Sequence, residues 1–294
     1  MTASAKKRAS RATTYGAAGL LAVAALAGCG SGSGDDKDAS SSKDTTSGSA
    51  EGSPAQVVQA TNSKTTGAGS ARVKISTAVA LGGKSETITG AGVMDFADGT
   101  SQLTMGQSGK NLEQRVVDKT LYQKPPEGTG GLPGGKTWLK IDLKKLAASG
   151  ATGSDRASDP ADTFAYSKSL STKDAKKIGE ENVGGVDTTH YRVLLDIDKL
   201  AKGDEQKAEK LRETLGESVP VDLWVDGKGL TRRQQIETTV KAPQSGSSSD
   251  KAETKVKVVM DFSDFGTDVN VEAPPAADTA DMTDKLIQLN PQKS

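Results

Sequence analysis

The chain has 294 residues, with 38 basic and 38 acidic side chains, one His, one Cys, 34% hydrophobic and only 3% aromatic residues. One Cys excludes an intramolecular disulfide and, with one His, all but excludes a zinc or copper site built from His/Cys clusters. The balanced charge lacks the basic excess of a nucleic-acid binder, and a single apolar run near the N-terminus excludes a multi-pass membrane protein.

Lys6, Lys7, Arg8 and Arg11 precede the apolar run Gly16–Ala27, the order of a secretory signal, and the run is short for a bilayer span. It ends in Leu26-Ala27-Gly28-Cys29, which resembles the lipobox of bacterial lipoproteins. That resemblance implies a signal peptide over 1–28, acylation of the Cys29 thiol and cleavage before it. It places the chain on the outer face of the cell membrane. Removing residues 1–28 takes away four basic and no acidic side chains, leaving 34 basic against 38 acidic. Anchoring would then rest on acyl chains rather than on a polybasic patch. Residues 29–53 are rich in Ser, Gly, Asp and Lys and carry no large apolar side chain, the composition of a disordered tether. Its root-mean-square reach is about 25–30 Å.

A domain is expected over 54–290. Ser53-Pro54 opens a short helix with Val57, Val58 and Thr61 on one side. Period-two segments follow: 71–81, 86–96 with Gly90 and Gly92 marking a bend, the turn 97–100, then 101–106, 112–117, 121–124 and 137–143. Short helices are expected over 142–148 and 160–170. A hairpin pairs 177–183 with 186–197 across Gly184-Gly185. Asp204–Leu215 is a helix that stops at Gly216. A further hairpin pairs 219–225 with 230–240 through Asp226-Gly227-Lys228-Gly229. Then come a strand over 253–262, a short strand around Val269–Val271, and a weak helix over 278–289. About ten strands in meander order with few helices predict an α+β fold with one antiparallel sheet.

The hairpin Val221-Asp222-Leu223-Trp224-Val225-Asp226, turning into Leu230-Thr231-Arg232-Arg233, resembles the late hairpin of the actinobacterial LppX/LprG-type lipoproteins. The lipobox, tether, first helix and meander agree in pattern over 54–275. Pro125–Gly135 departs from that pattern. The resemblance implies a LolA/LolB-like fold, a strongly curved half-barrel whose concave face is covered by helices and holds lipid or lipoglycan.

Chemical motifs lead elsewhere only weakly. Gly130–Thr137 fits the phosphate-loop spelling G-x-x-x-x-G-K-[ST], yet prolines precede it and an alternating strand follows where a helix is required. His190 takes the parity opposite Tyr191, Val193 and Leu195, so it reads as a surface strand histidine without nucleophile or orienting carboxylate. The turn at Asp226 reads as a hairpin rather than a calcium loop. Arg232-Arg233 either decorates an exposed strand or meets lipid headgroups. No catalytic residue, metal or cofactor is expected, and the alternating β and α units of an importer's solute-binding protein are missing.

Strand parity assigns Val73, Ile75, Ile88, Met94, Phe96, Leu103, Met105, Leu139, Ile141, Leu223, Val225, Ile236, Val256 and Val258 to one inward-facing set. Few of these are aromatic, and such a face suits acyl chains, which need no directional polar partners. The leading expectation is a membrane-anchored, non-catalytic carrier of lipid or lipoglycan. The rival is an interaction lipoprotein with a filled core that docks an envelope partner.

Overall fold

A computed structural model of the chain describes residues 52–289, apart from 108, 129–131, 150–170, 172, 202 and 242–252. Cys29, nearly all of the tether and the helix expected over 160–170 lie outside the described residues. Helix α1 (Pro54–Gly67) begins as its sequence predicts. Ser53 Oγ accepts from the Gln56 N–H, Gln56 Oε1 accepts from the Ser53 N–H, and Pro54 occupies the first turn.

Two meanders follow. The first is β1 (Ser70–Leu81), β2 (Lys84–Asp95), β3 (Ser101–Gln107), β4 (Lys110–Val117), β5 (Thr120–Lys124) and β6 (Trp138–Asp142), closed by α2 (Leu143–Ala148). The second is β7 (Ala175–Val183), β8 (Val186–Asp196), β9 (Ser218–Asp226), β10 (Thr231–Lys241) and β11 (Glu253–Ser263), with α3 (Ile197–Ala201) and α4 (Glu205–Leu215) between β8 and β9. The chain finishes with β12 (Thr279–Asp281) and α5 (Thr283–Leu289). Antiparallel pairing of β1 with β11 joins the meanders into one sheet of order β12-β6-β5-β4-β3-β2-β1-β11-β10-β9-β8-β7.

The structure corrects four details. Residues 269–271 form no strand, because β11 is already enclosed by β1 and β10 and offers no free edge. The chain instead turns at Asp264 and Gly266, both with positive φ, and reaches the far edge, where β12 pairs parallel to β6. The sheet is therefore mixed, though all its other pairs are antiparallel. The last helix starts at Thr283 rather than 278, because Thr279–Asp281 pair with β6 and the Asp281 carboxylate accepts from the Thr283 N–H and hydroxyl. The long β8 stops at Asp196, whose carboxylate accepts from the Asp198 and Lys199 N–H groups and turns the chain into α3.

Directly opposed residues of neighbouring strands share a face, so the register sorts the whole sheet. One row runs Val193–Val221–Ile236–Val258–Thr77–Ile88 across six strands. The next runs Tyr191–Leu223–Gln234–Met260–Ile75–Gly90–Met105–Leu112. We call this the inner face, since the helices pack on it. Its floor bends at β2: a Cβ on Gly92 would lie 1.8 Å from the Gln102 carbonyl oxygen, and one on Gly90 would lie 2.9 Å from Met105 Cγ. Both glycines face inward, so β3 folds across the inner side of β2 where no side chain stands in the way.

Three apolar clusters lie on that face. Under α1, α3 and α4 are Val58, Tyr191, Val193, Leu195, Val219, Val221, Leu223 and their neighbours. At the end of the sheet marked by the β2–β3 turn, opposite the β1–β2 turn, Ala71, Val73, Met94, Phe96 and Phe262 pack together, the two phenyl rings 6.2 Å apart. Beneath α2 and α5 are Val116, Ile141, Leu143 and Leu146. Gly92→Ala should force β2 and β3 apart and cost about 1–3 kcal/mol in urea unfolding. Gly179→Ala, where a Cβ meets nothing within 4 Å, should stay within about 0.5 kcal/mol.

Candidate functional site

All fourteen inward-set residues lie on the inner face by register or by continuation of it, but they do not share one environment. Leu223, Val225 and Ile236 are sealed beneath helices. Val73, Met94 and Phe96 belong to the cluster beside the β2–β3 turn, with Ile75 half-buried against it. Ile141 and Leu139 belong to the α2–α5 cluster. Leu103 and Val258 are buried in the sheet.

Between the helix groups a different surface emerges. Val79, Ile88, Met105, Leu112, Val240 and Val256 are only partly buried and belong to none of the three clusters. Along β1 the inward side chains pass from Val73 at 1% exposure, through half-buried Ile75 and Val79, to Leu81 at 49% beside the β1–β2 turn. The result is an apolar strip along the middle strands that opens at the hairpin end. The six residue steps from Ile75 to Leu81 span about 20 Å at strand rise.

Two open depressions lie mainly on the opposite, outer face. One of about 420 Å³ is bordered by Lys74, Ser76, Thr89, Thr104, Asn111 and Asp261, and of the fourteen inward residues only Ile75 reaches it. A second of about 330 Å³ is bordered by Pro220, Glu237, Thr239 and Lys255.

The outer face of β7–β11 carries an organised polar network that parity alone did not announce. His190 has the outward parity read from sequence, yet it is 6% exposed, not a surface histidine. Its ring stacks on Trp224 of the next strand, centroids 4.2 Å apart and planes within 13°. Nδ1 lies 2.9 Å from Glu181 Oε1 and Nε2 lies 2.8 Å from Asp222 Oδ1. The Trp224 indole N–H donates to the other Glu181 oxygen at 2.8 Å, and Arg192 forks onto Asp222 at 2.8 and 3.0 Å. The indole bond, followed by His190, holds the Glu181 carboxyl below the usual carboxylate range. The orienting carboxylates that the sequence left unseen are therefore present, on β7 and β9.

Arg232 and Arg233 are structural rather than decorative. Arg232 Nε donates to buried Asp226 at 2.7 Å and its guanidinium covers the Phe265 ring at 5.1 Å. Arg233 pairs with Asp261 at 2.5 and 2.9 Å and lies 5.9 Å from the Trp224 centroid. Asp226 also accepts the N–H groups of Lys228 and Leu230, which spends its oxygens on the hairpin turn. Burial pushes the Asp226 carboxyl upward, but the Leu230 N–H, Arg232 and the Lys228 N–H outweigh it and the net shift is downward.

In the phosphate-loop lookalike, Pro133–Gly135 form a single 3-10 turn and β6 follows, so no helix N-terminus faces the loop. Lys136 Nζ donates instead to the Ala277 carbonyl. Residues 129–131 lie outside the described set. Among the described residues no group of three or more His, Cys, Asp or Glu is placed to hold a metal ion, and no helix is long and apolar enough to cross a membrane.

These features define a class: an α+β protein of one open, mostly antiparallel sheet, with an apolar face partly covered by helices and a charged, networked outer face. No model of a known protein family matches the chain. In sequence it is similar to an uncharacterized 31.2 kDa protein from the rplA–rplJ intergenic region of Streptomyces griseus, 29% identical over 262 residues that cover 80% of this chain and 81% of that protein. It is also similar to a protein of Streptomyces coelicolor that carries the name of a candidate lipoprotein, 28% identical over 235 residues covering 74% and 72%. In structure it is similar to LprF of Mycobacterium bovis, with 15% identity, a TM-score of 0.43, and 76% of this chain and 99% of that one covered. Lipoprotein LppX of Mycobacterium tuberculosis follows at 12% identity and a TM-score of 0.43, covering 74% and 99%. A LolA superfamily protein of Nitrosomonas europaea has a TM-score of 0.29 at 11% identity, covering 74% and 95%.

Asp226 yields a pH prediction. Its native pKa lies below the unfolded-chain value of about 3.9, so its stabilisation is complete above that pH and is lost as pH falls through the native value. Asp226→Asn should therefore flatten the loss of stability between about pH 5 and 2. Asp226→Ala, which strands Arg232 and two backbone N–H groups, should cost about 3–5 kcal/mol at neutral pH in denaturant titration.

Proposed function

We propose that the chain is a membrane-anchored extracytoplasmic lipoprotein that binds or carries lipid or lipoglycan on its inner face, without catalysis. The observation that carries this reading is the apolar strip left between the helix groups, which ends at exposed Leu81. An acyl chain leaving a bilayer forfeits about 0.8 kcal/mol per methylene unless a new apolar surface receives it. Val, Ile, Leu and Met side chains provide such a surface without directional polar groups. The strip's length of about 20 Å suits a chain that fills one leaflet, about 15 Å of hydrocarbon.

The lipobox sequence at Cys29 supports the anchor, and so does the lipoprotein name of the S. coelicolor relative. Two acyl chains on Cys29 would hold the protein stably at the membrane. The tether would let the domain reorient within about 25–30 Å of the surface. A chain held this way can offer its open hairpin end to the bilayer from which it takes lipid.

Cys29→Ala should move the protein from the membrane fraction to the soluble fraction; retention at the membrane, with no fatty-acid label on the wild type, would sink the anchor. Ile75→Trp and Met105→Trp should lower binding of a fluorescent fatty acid while the melting temperature holds or rises, because bulk then occupies open strip. Leu223→Phe, placed in the sealed cluster, should instead overpack and cost about 1–3 kcal/mol. If the strip variants lose stability as Leu223→Phe does, and no form binds the probe, the rival reading of a filled core that docks an envelope partner takes its place.

A further inference from the structure

The outer-face network contains a buried titratable group that lipid holding does not use. Carboxylate oxygens only accept hydrogen bonds, yet both ring nitrogens of His190 lie within 2.9 Å of one, Glu181 Oε1 on one side and Asp222 Oδ1 on the other. Both nitrogens must therefore donate, and the ring in this arrangement is the imidazolium. Charge closes on the same assignment. Glu181 and Asp222 bring two negative charges, and Arg192 and protonated His190 bring two positive ones. Beside them Arg233 and Asp261 form their own pair.

The three links around the ring differ in freedom. Asp222 is buried on β9 and pinned by the Arg192 fork. Trp224, also on β9, is fixed between His190 of β8 and Arg233 of β10. Glu181 sits on β7 with its side chain half exposed, and its two oxygens are held by His190 and by the Trp224 indole. It is thus the one member that can leave. Among the described residues β7 is the terminal strand of the sheet, paired only with β8, and its ladder is interrupted by a bulge between Lys177 and Gly179. The Glu181 side chain is its link to β9, one strand beyond its backbone partner.

We propose that Glu181, His190 and Asp222 form a proton-operated clamp that ties the edge strand β7 to β9 when His190 is protonated and releases it when the ring is neutral. The charged and titratable groups that face the ring are Glu181 from β7, Arg192 from β8, Asp222 from β9, and Arg233 with Asp261 from β10 and β11. Loss of the proton to water leaves the ring one N–H. Asp222, immobile and buried, keeps it. Glu181 then faces a nitrogen lone pair at under 3 Å and withdraws into solvent, taking its bond to the indole with it. The stack on Trp224 also loses its cationic partner. Ala175 on the same strand belongs to the cluster under α1, so release loosens the border of the inner face. The clamp stands on this geometry alone and does not depend on what the inner face holds.

Hydrogen exchange and tryptophan emission of the full chain in detergent micelles, taken from pH 5 to 9, test it. The expected result is a single-proton step in Trp224 emission, with the stacked imidazolium quenching the indole on the acid side. After correction for base-catalysed chemistry, amides of 175–183 should exchange about tenfold faster above the step, while those of β9 and β10 do not change. His190→Gln should abolish the step. Glu181→Gln supplies an amide that can donate to a neutral ring, so β7 should remain protected on both sides of the pH range. This second variant changes only a half-exposed side chain and keeps the test valid if His190→Gln fails to fold. Exchange of β7 that is independent of pH in the wild type, an emission step that persists in His190→Gln, or a pH step in β7 exchange that persists in Glu181→Gln, would overturn the clamp.

Discussion

The two-residue alternation of a β-strand, held in register across one open sheet, is the constraint on which the rest of this molecule depends. The β1–β11 pairing joins two meanders so that every inward apolar residue of either half faces the same side. A one-residue slip anywhere would send Val73, Ile75 and Val79 to the charged face and Arg72, Lys74 and Ser76 to the apolar one. Eleven strand intervals make a surface about 50 Å broad. The described helices, the longest of 14 residues, cover its two flanks and leave the middle strands bare. Among the described residues, the apolar strip follows from that mismatch between sheet width and helix length.

The outer face solves the opposite problem, keeping a wide sheet rigid without a second apolar layer. Its answer is a row of charge-assisted hydrogen bonds laid across the strands: Glu181–His190–Asp222–Arg192, then Arg233–Asp261, with Trp224 at the centre. Bidentate, partly buried pairs of this kind are the stronger class of surface electrostatics. They span β7 to β11 beneath the region that α1, α3 and α4 cover on the inner side. The bare middle strands instead carry the small residues Ser76, Thr89, Ala91 and Thr104 on their outer side.

Much of this was legible in the sequence, and the exceptions have a common cause. The Ser53-Pro54 start of α1, the strand–turn–strand boundaries through Gly184 and Asp226, and the α4 limits at Asp204 and Gly216 are local signals, and they hold. The inward parity of all fourteen assigned residues also holds, because period two survives any uncertainty in strand ends. Which of them are sealed and which are open did not follow from parity, since that depends on where helices distant in sequence come to rest. His190 was misread for the same reason. Its face was correct, but its burial is made by Trp224 and Glu181, 34 residues after and nine before it, and alternation is silent about cross-strand neighbours. The Val269–Val271 segment has the composition of a strand. It lacks an edge to join, a fact of sheet order rather than of the segment.

The central claim is that the bare strip holds acyl chains, and its contents test this most directly. The protein should be purified from the cells that make it, freed of bulk membrane, and extracted with organic solvent. Mass spectrometry of the extract and of the protein then separates bound lipid from any chains covalently attached at Cys29. The account predicts acyl lipid in near-stoichiometric amount beyond the covalent chains. A protein that carries its acyl anchor and yields a clean extract would contradict it.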